Sequence, residues 1–387
     1  MLLPTKLPEV GTTIFTVMSK MAMDHNAINL SQGYPDFAVP DELLAALHRY
    51  SSEGHNQYPP MQGLPYLREQ ICAKLKRCYS VNCDADTEIT VTSGATEALF
   101  VAIHALVQSG DEVIVFDPAY DSYAPAVALA GGQTVHIPLT NSDQRFTIDW
   151  DHVRALITPK TRAIIVNSPH NPTGSVCSKE DLEQLAELTR DTRICVISDE
   201  VYEHMYFGDS RHYSIAAHPE LRARSFVISS FGKTYHATGW KVGYCVAPAS
   251  FTTEFRKIHQ FVTFTTHTPT QWAIADYLEH HPEHDEGLPA FYEAKRNHFL
   301  SAMKDIGFEM HASAGTYFQI ADYSELSDEP DMPFVNRLTQ AAGVAAIPLS
   351  PFYQHDPSHR LVRFCFAKEE ATLSEAADRL RQYFHHT

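Results

Sequence analysis

The sequence predicts an α/β fold built on a mainly parallel sheet, and three observations carry that expectation. From about position 86, short β-branched runs alternate with helix-length amphipathic patterns. Most of those runs are apolar throughout rather than alternating, as strands covered on both faces are. A chain of 387 residues is too long for one ordinary compact core, which favours two domains.

Seven strands are expected in the first part: Glu88 to Thr92, Glu112 to Phe116, Thr134 to Ile137, Ala163 to Asn167, Arg193 to Ser198, Ser225 to Ser229 and Lys241 to Val246. Between them, Thr96 to Val107 and Lys179 to Thr189 carry helical periodicity, the second with Ser178 as its N-cap. The polar stretch His280-His281-Pro282-Glu283-His284-Asp285-Glu286-Gly287 reads as a hinge. Beyond it an α+β pattern follows: a helix over Leu288 to Asp305, strands at Tyr317 to Ala321 and Val344 to Ile347, an apolar run Leu361 to Ala367, and a helix from Leu373. The division expected is a large domain over 39–280 and a small domain made of 1–38 with 281–387.

Composition narrows the function classes. Apolar residues are 44% and charged residues 20%, ordinary values for a globular protein. The 47 acidic against 30 basic residues give a formal charge of −17, which repels a phosphate backbone and argues against nucleic acid as a partner. No apolar run approaches the ~20 residues that cross a bilayer, and the N-terminus lacks a secretory h-region, so no membrane association and a cytoplasmic location are expected. Seven cysteines without a C-x-x-C pair read as free thiols. The histidines at 280–284 lack further ligands at diagnostic spacing, so no metal is expected.

The chemistry-bearing residues sit where strands end. Lys233, in Ser229-Ser230-Phe231-Gly232-Lys233-Thr234, follows a buried strand pattern, a placement suited to a Schiff-base lysine kept deprotonated by desolvation. The Gly-Lys-Thr triplet is not a Walker A loop, since position 227 is Val where the motif needs Gly. Thr92-Ser93-Gly94-Ala95-Thr96 leads from a strand into a helix, so its N–H groups and the helix dipole can receive a phosphate. Asp199 ends the strand Ile194 to Ile197, and Arg363 is a lone cation in an apolar strand, costly to bury unless an anion arrives. Each of these alone has a bland reading as a cap, a turn or a structural ion pair.

Taken in order, these segments resemble class I and II aminotransferases of fold type I, which depend on pyridoxal 5'-phosphate (PLP), and the likeness spans nearly the whole chain. The resemblance implies that Lys233 carries the cofactor, that Ser230, Gly94, Ala95, Thr96 and Lys241 hold its phosphate, and that Asp199 pairs with the pyridine nitrogen. Lys241 stands where the family has arginine, and so offers a point charge in place of a bidentate fork. Tyr202 and Asn171, the latter in Asn171-Pro172-Thr173-Gly174, are implied to bond the ring oxygen, and Tyr120 to stack on the ring. Arg363 would grip the substrate carboxylate, with Gly33, Phe15 and Asn171 also at the substrate; Tyr34 and Tyr353 are further candidate pocket rings. Tyr58 would reach the phosphate of a neighbouring subunit, which implies a homodimer with shared sites.

The segment Leu30 to Phe37 is similar to the subgroup of methionine, kynurenine and glutamine aminotransferases. This implies ping-pong transfer of an amino group from methionine, an aromatic amino acid or glutamine to a 2-oxo acid. A C–S β-lyase or a kynurenine aminotransferase on the same fold is the alternative.

Overall fold

The computed structural model describes residues 4–142 and 144–385. A seven-stranded sheet organises the larger part. Its strands are β1 (Ile89–Thr92), β2 (Glu112–Asp117), β3 (Gln133–Pro138), β4 (Thr161–Asn167), β5 (Cys195–Asp199), β6 (Ser225–Ser230) and β7 (Gly243–Val246), in the spatial order β1-β7-β6-β5-β4-β2-β3. Only β7 runs against its neighbours, antiparallel to β1 and β6.

Alternate residues of these strands face opposite apolar layers. Ile114, Ile164, Val166, Val196 and Val227 belong to one, and Val113, Val115, Ile165, Ile197 and Ile228 to the other. Burial on both faces is why these strands read as unbroken apolar runs. The seven expected strands are all present, and the helix Lys179–Thr189 begins at Ser178 with a capping box to Asp181.

A third apolar cluster surrounds a small antiparallel sheet of β8 (Phe318–Asp322), β9 (Ile347–Pro348) and β10 (Leu361–Cys365), ordered β8-β10-β9. The N-terminal segment joins it, since Ile28–Asn29 pairs in parallel with Val344–Ala345.

Three expectations need correction. The stretch 280–287 is not an extended hinge: one helix ends at His280 and the next, Glu283–Met303, starts three residues later, with acidic Glu283, Asp285 and Glu286 in its first turn. Val344 to Ile347 is two short pieces serving different sheets. Lys241 precedes its strand, because it sits at φ 54° after the short 3₁₀ turn Thr238–Trp240. Lys233 lies directly after its strand, as expected, in the single helical turn Phe231–Thr234.

Among the described residues no helix is long and apolar enough to cross a membrane. None of their His, Cys, Asp and Glu side chains cluster in threes to hold a metal ion.

Candidate active site

The parallel register aligns Asn167 with Asp199, and Asp199 with Ile228, so β4, β5 and β6 deliver their carboxyl ends to one place. There a cavity of about 360 Å³ opens. Phe15, Gly33, Gly94, Ala95, Thr96, Tyr120, Asn171, Asp199, Tyr202, Ser230, Lys233, Lys241 and Arg363 all line it. Tyr58 does not: it is 83% exposed and packs edge-on against Phe264. Tyr34 lines the mouth, whereas Tyr353 faces a separate surface groove with His136 and Gln354.

On one wall the helix Gly94–Leu106 points its N-terminus at the cavity. Gly94 adopts φ 73°, a left-handed conformation that glycine takes without strain, and a Cβ there would stand 3.3 Å from Lys241 Nζ. The first turn's N–H groups, the Lys241 ammonium and Ser230 thus form an anion cradle.

Asp199 is buried deeper. Burial pushes its carboxyl up to about 6, while a 2.7 Å hydrogen bond from the Tyr123 hydroxyl pulls the other way. Asn167 braces the neighbouring loop, its Nδ2 donating to the Asp199 carbonyl (2.8 Å) and its Oδ1 accepting from the Asn171 N–H (2.8 Å). Tyr120 lines the same region, with its phenol pKa raised by burial.

Lys233 is half-buried and lines the cavity. Its amine donates to the Tyr317 hydroxyl (3.1 Å) and the Gly33 carbonyl (3.3 Å), and Tyr317 in turn donates to that carbonyl at 2.6 Å. Gly33 makes this possible, since a Cβ on it would fall 2.6 Å from Phe318 Cζ. Burial lowers the Lys233 pKa to about 8, helped by the cations Arg363 and Lys241.

Arg363 is fully buried above the Phe318 ring, 3.8 Å from its centroid. Nη1 donates to Asn171 Oδ1 (2.7 Å) and Nη2 to the Ser31 carbonyl (2.8 Å), while Nε has no partner among the described residues. With Oδ1 engaged, Asn171 keeps its amide Nδ2 for the cavity.

Sequence reasoning missed Tyr317, Tyr123 and Asn167. The roles of Tyr317 and Tyr123 depend on contacts across the fold, such as the 284 positions between Tyr317 and Gly33, and no local signal marks them. Asn167 does carry one, since it ends β4 beside Asp199 and accepts from the N–H four residues on.

The donor set fits PLP. It pairs a phosphate-sized anion cradle with a buried carboxylate for a protonated ring nitrogen and a depressed lysine amine for the carbonyl.

Comparison with known proteins agrees. The sequence profile of aminotransferase class I and II matches residues 25–380. Methionine aminotransferase of Escherichia coli is 52% identical over 378 residues, covering 98% of this chain and 97% of that protein. A probable N-succinyldiaminopimelate aminotransferase of Mycobacterium tuberculosis is 40% identical, with 97% of each chain covered. The crystal structure of the Escherichia coli protein YbdL, whose reactivity identifies a methionine aminotransferase function, superposes with a TM-score of 0.96 at 51% identity, over 99% of this chain and 100% of that one. With the match running through both the sheet and the arginine strand, the chain belongs to the class I and II aminotransferases, PLP-dependent transaminases.

Proposed function

We propose that this transaminase takes its amino group from methionine, accepts aromatic amino acids and glutamine more weakly, and passes the group to a 2-oxo acid in two half-reactions. One observation carries the assignment of the site. Lys233, Asp199 and Arg363 meet in one cavity, and none of them has an ion-pair partner among the described residues. Buried charges left open in this way await charges that arrive with ligands.

PLP, when bound, supplies an electron sink that stabilises negative charge at the substrate Cα. The chain's residues do the rest. Arg363 holds the α-carboxylate through its fork, which orients the Cα–H bond toward Lys233. The Lys233 amine, with a pKa of about 8, is placed to take that proton from Cα as a general base and to give it back as a general acid. Asp199 keeps the ring nitrogen protonated, with Tyr123 fixing its carboxylate. Tyr202 and the Asn171 amide donate to the ring oxygen, and Ser230, Lys241 and the Gly94–Thr96 amides hold the phosphate.

Phe15, Tyr34 and Phe318 line the same cavity and suit an uncharged side chain. The methionine aminotransferase relative supports methionine as the donor. A kynurenine–oxoglutarate transaminase from human, 33% identical, supports a secondary aromatic activity.

Residues 39–280 act as a large domain, with 1–38 and 281–387 as a small one; the clustering of Met18 and Leu30 with Phe299 and Phe364 supports this division. The enzyme works as a homodimer in which Tyr58 completes the neighbour's phosphate site. Exposed Tyr58 and Phe261, at 83% and 85%, support a covering subunit. Seven free cysteines suit the reducing cytoplasm.

The purified protein should show a visible absorption band that bleaches with methionine and returns with a 2-oxo acid. A colourless protein that PLP cannot reconstitute would overturn the assignment. Pyruvate released from a cysteine S-conjugate without any acceptor would move the reading to a β-lyase.

A further inference from the structure

Beneath the anion cradle lies a buried pair that the mechanism does not use. His259, with no exposed surface, places Nδ1 2.8 Å from Glu97 Oε1 and Nε2 3.1 Å from the Met61 carbonyl. The other Glu97 oxygen accepts from the Ser93 N–H at 2.9 Å, immediately before the three residues of the cradle.

A carbonyl only accepts, so Nε2 must carry a proton. The contact between Nδ1 and the carboxyl then requires a second proton, on either the ring or the carboxyl. In both cases the pair is net neutral, and in neither does Glu97 present an uncompensated negative charge to the helix N-terminus.

This matters because an isolated carboxylate one residue from the cradle would repel an incoming phosphate. Around the pair lie the Ser93 amide, the Met61 carbonyl, the Phe255 ring stacked on the imidazole and the Cys245 thiol, so no other cation or carboxylate is bonded to it among the described residues.

We propose that His259 is a positioning residue for the cofactor phosphate: it cancels the charge of Glu97 while Glu97 pins Ser93, so that the cradle is both ordered and free of opposing charge. The proposal rests on the reading of Gly94 to Thr96 as the phosphate site. The same imidazole also braces the loop that carries Tyr58, through Met61.

The test is equilibrium titration of PLP, and separately of pyridoxal, into cofactor-free protein at pH 8. Wild-type protein that binds PLP no better than pyridoxal would refute the phosphate site itself. If that site stands, His259→Gln should weaken PLP binding roughly tenfold and leave pyridoxal unchanged, the size expected for one added charge at partly screened range. Adding Glu97→Gln to His259→Gln should restore PLP affinity to within about threefold.

Equal losses for PLP and pyridoxal, or no rescue in the double variant, would overturn the inference. Should His259→Gln fail to fold, Glu97→Gln alone decides. It removes the charge and keeps the hydrogen bonds, so PLP must bind at least as tightly as to wild type, and weaker binding refutes the proposal.

Discussion

Lys74 and Lys233 are both shielded from bulk water, and their surroundings differ in kind. Lys74, 2% exposed, donates to Glu203 at 2.5 Å and to the Tyr244 hydroxyl at 2.7 Å, while Tyr79 and Ser229 hold the same carboxylate. Burial pulls the Lys74 pKa down, yet Glu203 outweighs it and holds the ammonium charged. Lys233 has only a hydroxyl and a carbonyl, and burial wins. A buried lysine with a carboxylate fastens helix Pro65–Tyr79 to the sheet. Lys233, without a carboxylate, has its pKa lowered to about 8, close enough to neutrality for the amine to serve as a base.

The contrast can be broken by mutation. Lys233→Ala should lower the transamination kcat by at least about 10⁴-fold, since it removes the proton carrier, yet leave the thermal midpoint unchanged or higher because no ion pair is lost. A destabilised Lys233→Ala protein would contradict the contrast. Lys74→Met should do the opposite, costing about 3–5 kcal/mol in denaturant unfolding by stranding Glu203, with Lys74→Met/Glu203→Gln recovering most of it.

The two amines can also be told apart chemically. In cofactor-free protein, amine labelling followed by peptide mass spectrometry should find Lys233 half-reactive near pH 8 and Lys74 unreactive while folded. The linkage has a definite sign. The folded Lys233 pKa is below its ordinary 10.5, so the unfolded chain binds more protons between about 8 and 10.5, and stability relative to Lys233→Ala rises with pH across that window.

Smaller effects sharpen the picture on the side of the other open charges. Arg363→Lys should lower kcat/KM for methionine by roughly 30- to 100-fold, through loss of the fork rather than the charge. Tyr123→Phe removes the hydrogen bond that opposes the rise of the Asp199 pKa, so the carboxyl should climb further above 6. Activity should then fall roughly tenfold below pH 7 and much less at pH 8.5.

The sheet was legible because its strands are buried on both faces, and β4 and β5 fall within two residues of their expected limits at each end. The cavity lining was legible where a residue ends a strand, follows one directly or stands alone in one, as Asp199, Lys233 and Arg363 respectively do. Segments whose identity depends on partners were misread. The charged run 280–287 looks like a hinge in isolation, yet its acids favour a helix N-terminus. Tyr353 shares the aromatic character of Tyr120 but faces away from the cavity, a distinction set by tertiary packing. Tyr317 and Tyr123 hold residues distant in the chain, and such service leaves no local pattern.

The pairing of Ile28–Asn29 with Val344–Ala345 also bears on biosynthesis. Ser31, which accepts from Arg363, stands 332 positions before it. As the chain leaves the ribosome, the sheet and its phosphate cradle are complete well before the arginine strand appears, while the first thirty-odd residues wait without their partner. The residues of the cradle are therefore all made before Arg363, whose strand can pair only when nearly the whole chain has been made.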